Sequence, residues 1–213
     1  MPNIVLNNIK VFYEDNHHGG GIRWAPEFSK IFSNSPDLKN KKFHRALELC
    51  CGPGFIGFNL LGAGTVGKLA LSDINPAVEE NIKKTVKENK ISKLVESFYL
   101  SDGLKNIGDD LFDCIVSNPP HINVMDPTIP KLNFQDPPIL FSDPYFNFHK
   151  DLFSMLPKKL DKNGIAILLE NKKYSPPEKL LGLDFEKKYP MLNLDLSLPC
   201  GHPDFYFVKL NVK

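Results

Sequence analysis

The sequence predicts an α/β protein built on a doubly wound, mostly parallel sheet, and three observations carry that expectation. Short apolar runs alternate with helix-like stretches along the 213 residues, as in sheets covered on both faces. A glycine-rich turn follows the first long run and an acidic residue closes the second, which is how a βαβ unit that binds a nucleoside-type ligand begins. The composition, 42% hydrophobic and 24% charged, is that of a globular chain with a single core.

Taken in order, strands are expected at 45–50, 68–72, 97–100, 112–117, 164–170 and 205–212. The most legible helix lies between the second and third of these. Asn75 can cap it, Pro76 suits its first position, and Val78, Ile82 and Val86 recur every four residues. Phe148, Leu152, Met155 and Leu156 form a second helical stripe and read as core, while 199–204, around His202, reads as a hairpin turn before the last strand. Two segments break the pattern and read as loops. The first, 13–26, contains His17, His18 and Gly19 to Gly21; the second, 119–148, contains seven prolines among Phe134, Phe141, Tyr145, Phe146 and Phe148.

Lys and Arg total 26 against 25 Asp and Glu, a net charge of +1, which excludes a chain-wide electrostatic footprint for nucleic acid or anionic membrane. Lys39, Lys41, Lys42 and Arg45 form one local basic cluster that reads as solvated surface. No apolar run reaches the about 18 residues of a membrane span, and the start lacks the pattern of an export signal. Four cysteines, Cys50, Cys51, Cys114 and Cys200, include no CxxC, and His17 and His18 lack a third ligand at recognisable spacing. The expectation is a cytoplasmic protein without membrane, disulfide or metal.

Residues 48–57, Glu-Leu-Cys-Cys-Gly-Pro-Gly-Phe-Ile-Gly, hold a GxGxxG at Gly52, Gly54 and Gly57. Such a turn brings backbone close to a ligand. A second GxGxxG, at Gly62, Gly64 and Gly67, lies between a helix and the next strand and reads as a turn. Asp73 ends the second strand, where a carboxylate accepts both hydroxyls of a ribose. A nicotinamide dinucleotide and S-adenosylmethionine (SAM) both satisfy those features. Glu48 separates them, because a carboxylate beside the turn repels a pyrophosphate and favours the ammonium of SAM. After the fourth strand, Asn118-Pro119-Pro120-His121 falls at the carboxyl edge of the sheet, where open α/β folds bind ligands.

In these residues the chain resembles the class I SAM-dependent methyltransferases, and among them the HemK-like N-methyltransferases marked by an Asn-Pro-Pro-aromatic tetrad. The resemblance implies a seven-stranded, mostly parallel sheet with an antiparallel terminal strand, supplied here by 201–212. It implies SAM as cofactor, held by Glu48, Cys50, Gly52, Gly54, Asp73, Ile74, Asp102, Gly103 and Asn118, with Asn118, Pro119, Pro120 and His121 as the catalytic tetrad. Trp24 to Ser29 is similar to the segment that leads into the glutamine-methylating members. The chain then divides into a leading segment and cofactor or substrate lid at 1–40 and a methyltransferase domain at 41–213, with 119–148 as its substrate loop. A planar amide or amino nitrogen is the expected acceptor, most favourably on a protein, with a nucleic-acid base or small planar amine as alternatives and a non-catalytic SAM-binding subunit as the reading from another class.

The tetrad has a physical logic. An amide or exocyclic amino nitrogen delocalises its lone pair, and the Asn118 side-chain oxygen with the Pro119 carbonyl offers two acceptors for its two N–H donors. Two residues depart from the pattern. Cys50 stands where glycine is usual, which an extended backbone would tolerate, and His121 replaces Tyr or Phe, keeping a flat ring for stacking while adding a titratable one.

Overall fold

The computed structural model describes residues 1–14, 21–129, 140–182 and 184–213, so His17, His18, Gly19, Gly20 and Phe134 lie outside the described residues. The chain opens with a hairpin, β1 (Asn3–Leu6) and β2 (Ile9–Phe12), turned by Asn7 and Asn8 with φ of 44° and 70°. Asn tolerates those left-handed angles, and two in succession match the right-handed twist of a hairpin. Then come α1 (Gly21–Asn34), β3 (Phe43–Leu49), α2 (Phe55–Gly62), β4 (Val66–Asp73), α3 (Val78–Asn89), β5 (Val95–Leu100) and β6 (Phe112–Ser117). A 3₁₀ turn at Pro144–Phe146 leads into α4 (Asn147–Met155) and β7 (Leu160–Asn171), and α5 (Pro177–Leu180), α6 (Phe185–Lys188), β8 (Leu192–Asp195) and β9 (Phe205–Val212) complete the chain.

The main sheet has seven strands in the order β5-β4-β3-β6-β7-β9-β8. β3 pairs in parallel with β4 on one side and β6 on the other, whereas β9 runs antiparallel between β7 and β8. All six strands expected from sequence are present. Their residues alternate between two cores, with Ala46, Cys114, Val116 and Ile167 facing α1, α2 and α3, and Leu47, Leu49, Ile115 and Leu168 facing α4. That double burial is why the strands read as unbroken apolar runs.

Sequence and structure part at the 13–26 loop. Residues 21–26 open helix α1, with Pro26 inside it, and Trp24, Ala25, Phe28, Ile31 and Phe32 bury its inner face. Pro26 is the sixth residue of α1, so the helix forgoes the bond to the Ile22 carbonyl there, and the burial of Trp24, Ala25, Phe28, Ile31 and Phe32 carries the helix through it. The second glycine set lies at the turn between α2 and β4. A Cβ on Gly62 would meet the Asn7 carbonyl oxygen at 2.2 Å, so this glycine lets the hairpin seat on the end of α2. Among the described residues, no helix is long and apolar enough to cross a membrane.

Candidate active site at the carboxyl rim

The chain leaves β3 toward β4 and β5 on one side and reaches β6 and β7 on the other, so the strand order reverses beside β3 and opens a crevice at the carboxyl ends. A cavity of about 290 Å³ occupies that crevice. Its walls come from the turn after β3, the ends of β4, β5 and β6, and the start of α4.

Glu48 points beneath α2 and is 2% exposed. Its two oxygens accept the N–H groups of Ile56 at 3.2 Å and Gly57 at 2.7 Å, unpaired donors of the first helical turn. Burial pushes its carboxyl up to about 8, opposed by those two N–H bonds and aided by the charge of Asp73. A Cβ on Gly57 would lie 2.7 Å from Glu48 Oε2 and from Leu69, which accounts for glycine there. Gly52 and Gly54 take φ of 49° and 88°. Cys50 is not extended: its φ of 51° is left-handed, the conformation that makes glycine usual at this position.

Asp73 lines the cavity, accepting the Gly52 N–H at 2.8 Å with Oδ2 and the Asn75 N–H at 2.9 Å with Oδ1. It thereby ties the glycine turn to the start of the α3 region. Asn75 in turn accepts the Ala77 N–H at 3.0 Å. At the same rim Ser117 Oγ donates to the Leu49 carbonyl at 2.8 Å, locking the ends of β3 and β6 together just before Asn118.

Of the residues singled out from sequence, Glu48, Cys50, Gly52, Asp73, Ile74, Asp102, Gly103, Asn118 and Pro120 line this one cavity. Gly54 lies below it, where a Cβ would strike Phe58 and Leu71. Pro119 and His121 are not among the lining residues. The His121 ring packs edge-on to Phe205 at 6.1 Å, and burial lowers its pKa, so the neutral form is favoured. Asp102 holds an ion pair with Lys105 at 2.7 Å, and Lys105 reaches Asp151 of α4 at 2.9 Å. Phe148 is only partly core. Its ring stands where a Cβ on Gly103 would be 3.1 Å away, and it also lines the cavity.

The reading from sequence missed Val78, Ser142, Asp143 and Asn147 as lining residues. Val78 was recognisable only as helix core, and Ser142, Asp143 and Asn147 reach the rim only because α4 folds back onto it. The cavity thus has an apolar flank at Ile74, Val78 and Phe148 and a buried carboxyl at Glu48. That polarity suits an elongated ligand carrying a flat heterocycle at one end, a diol in the middle and an ammonium at the other. Lys39, Lys41, Lys42 and Arg45 lie around the amino end of β3, and Arg45 is engaged by Glu96 and Asp110.

This strand order, with a crevice beside β3 and β9 inserted antiparallel, defines the class I methyltransferase fold. Residues 30–129 match the family model of the methyltransferase small domain. Over 134 residues, 62% of the chain, the sequence is 30% identical to the release factor glutamine methyltransferase of Borreliella burgdorferi, covering 46% of that protein. Over 39% of the chain it is 35% identical to the ribosomal RNA small subunit methyltransferase C of Haemophilus influenzae, covering 24% of it. The chain therefore spans less than half the length of these curated relatives. In structure it is similar over its whole length to half of a T. thermophilus 16S rRNA N2 methyltransferase solved with AdoMet and guanosine, with a TM-score of 0.62 at 13% identity.

Proposed function

We propose that the protein is a SAM-dependent N-methyltransferase whose acceptor is a planar amide or amino nitrogen. The observation that carries this reading is Asn118 at the carboxyl end of β6, lining the same cavity as Glu48, the glycine turn and Asp73. Asp73, at the end of β4 and lining the cavity, would accept the ribose hydroxyls, Ile74, Val78 and Phe148 would enclose the adenine, and Glu48 would attract the ammonium. When bound, SAM supplies a sulfonium-activated methyl group.

The chain's own part is positioning. Asn118 Oδ1 and the Pro119 carbonyl accept the two hydrogens of the acceptor nitrogen and turn its lone pair toward the cavity. Pro119 and Pro120 lack N–H groups and fix φ, so the turn offers carbonyl oxygens in a stiff frame. Alignment of this kind is worth up to about 7 to 11 kcal/mol of a bimolecular barrier. His121 packs T-shaped against Phe205.

A protein acceptor is favoured by the glutamine-methylating relative, which matches the longer stretch of chain, and by the basic cluster lying at the end of the sheet opposite the tetrad. The rRNA relatives support a nucleic-acid base as the second reading. Incubating extracts with the protein and methyl-labelled SAM, then digesting with protease or nuclease, distinguishes the two. Label that becomes small fragments under protease supports the protein acceptor. SAM binding without S-adenosylhomocysteine in any extract contradicts methyl transfer.

A further inference from the structure

The residues following the tetrad are fastened to a returning segment that forms the opposite wall of the cavity. Ile122 N–H donates to the Phe141 carbonyl at 2.9 Å and Asp143 N–H to the Ile122 carbonyl at 2.8 Å, a parallel bridge of Ile122 with Ser142. Tyr145 N–H adds a third bond, to Asn123 Oδ1 at 2.8 Å. Ser142, Asp143 and Pro144 face the cavity from this segment.

The segment itself hangs on a buried chain of polar groups. Asp143 Oδ1 accepts the Phe148 N–H at 2.8 Å, and its Oδ2 lies 2.6 Å from His149 Nδ1. On the other side of the ring, His149 Nε2 lies 2.8 Å from Glu170 Oε1 on β7. Glu170 Oε2 accepts the Ser175 hydroxyl at 2.7 Å, and the Tyr206 hydroxyl donates to the Ser175 carbonyl. The side chains of His149 and Glu170 are 0% exposed and that of Asp143 is 1% exposed. Between Asp143 and His149, Tyr145 and Phe146 both adopt left-handed φ, 56° and 55°, a conformation that bulky residues keep only where their surroundings impose it.

A neutral imidazole has one N–H and one lone pair, so between two carboxylates it would set its lone pair against an oxygen. The cation donates to both. Burial disfavours that cation, but the charge of Glu170 and the hydrogen bonds His149 donates to Asp143 and Glu170 outweigh it and raise His149 to about 9. The charged and titratable groups facing it are Asp143 from the returning segment and Glu170 from β7, with His121 of the tetrad feeling the charges of both Glu170 and His149 and Tyr206 of β9 feeling that of Glu170. Phe146, Phe148 and Phe153 enclose the ring.

We propose that His149 is a positioning residue for methyl transfer: as an imidazolium pinned between Asp143 and Glu170 it holds the returning segment against Ile122 and Asn123, the residues that follow the tetrad. Loss of its proton loosens the wall formed by Ser142, Asp143 and Phe148, while Glu48, the glycine turn and Asp73 on the β3 and β4 side stay in place. This inference rests on the methyl-transfer reading of the same site, and its test has arms that do not need activity.

In the ligand-free protein, nitrogen NMR of the imidazole is expected to show both ring nitrogens protonated at about pH 7, the proton leaving as the pH approaches 9. Corrected hydrogen-exchange protection at Ile122 and Asp143 N–H should fall at least tenfold over the same range, while Ile115 in β6 keeps its protection. Glu170→Gln removes the charge yet retains a partner for Nε2, and should move both curves to lower pH together. For the acceptor found by methyl labelling, kcat at saturating SAM should follow the imidazole curve, and Glu170→Gln should shift that kcat profile to lower pH with it. A neutral imidazole at pH 7, or amide protection and kcat indifferent to both pH and Glu170→Gln, overturns the proposal. A wild-type chain that methylates nothing would sink the proposed function, while imidazole and amides still decide the role of His149.

Discussion

Asp73 holds Gly52 and Asn75 by their N–H groups, one oxygen for each. Asp73→Asn keeps one of those acceptors, so the variant should fold and yet bind SAM more weakly by about 1 to 3 kcal/mol, the range for a lost charged hydrogen bond; calorimetry giving wild-type affinity would remove Asp73 from the site. Glu48 titrates at about 8 in the ligand-free protein because burial favours its neutral form. An arriving ammonium favours the carboxylate, so SAM affinity should climb as the pH rises from about 7 toward 9, and Glu48→Gln should flatten that climb. Cys50 sits at φ 51°, which costs a non-glycine residue about 1 to 2 kcal/mol. Thermal denaturation should show Cys50→Gly at least as stable as wild type and Cys50→Val clearly less so, since a β-branched residue tolerates that backbone worst.

At the scale of elements, α2 rests on Glu48 through Gly57, where an added Cβ would lie 2.7 Å from both Glu48 Oε2 and Leu69. Gly57→Ala should therefore destabilise the protein by about 1 to 3 kcal/mol through overpacking and displace Glu48, seen as a lowered Tm together with weakened SAM binding. A neutral effect would mean that α2 shifts freely on β4. The central strands were legible from sequence because burial on both faces leaves apolar runs such as Cys114, Ile115 and Val116. β8 was not, because its four residues carry polar Asn193 and Asp195 at the sheet edge, too short a pattern to read. α1 was hidden by Pro26 and by glycines before it, although Trp24, Phe28, Ile31 and Phe32 do recur at helical spacing. In the site, Glu48, Asp73 and Asn118 were legible because each terminates or follows a recognisable strand. Asp143, His149 and Glu170 were not, since they lie on a loop, a helix and a strand and meet only after folding. The available signals were a carboxylate closing the apolar run 165–169 and a histidine on the apolar face of α4.

For the whole molecule, the buried network makes stability depend on pH. The folded pKa of His149, about 9, lies above the ordinary 6.5, so its stabilising contribution is complete below about 6.5 and is lost as the pH rises through about 9. Glu48 acts in the same direction, its folded value of about 8 lying above 4.5. Denaturant midpoints should therefore decline from about pH 6 to 9, and Glu170→Gln should flatten the upper part of that decline. A stability constant across the range would mean that His149 is neutral throughout. Ligand linkage gives a second whole-chain signal: SAM at one hundred times its Kd should stabilise the fold by about 2.7 kcal/mol. The most direct test of the account compares wild type with Asn118→Ala for SAM affinity and for label passed from methyl-labelled SAM to a nitrogen of the acceptor. The account predicts nearly equal affinity and a transfer rate at least a hundredfold lower, about 2.7 kcal/mol in barrier; full transfer by Asn118→Ala would contradict it.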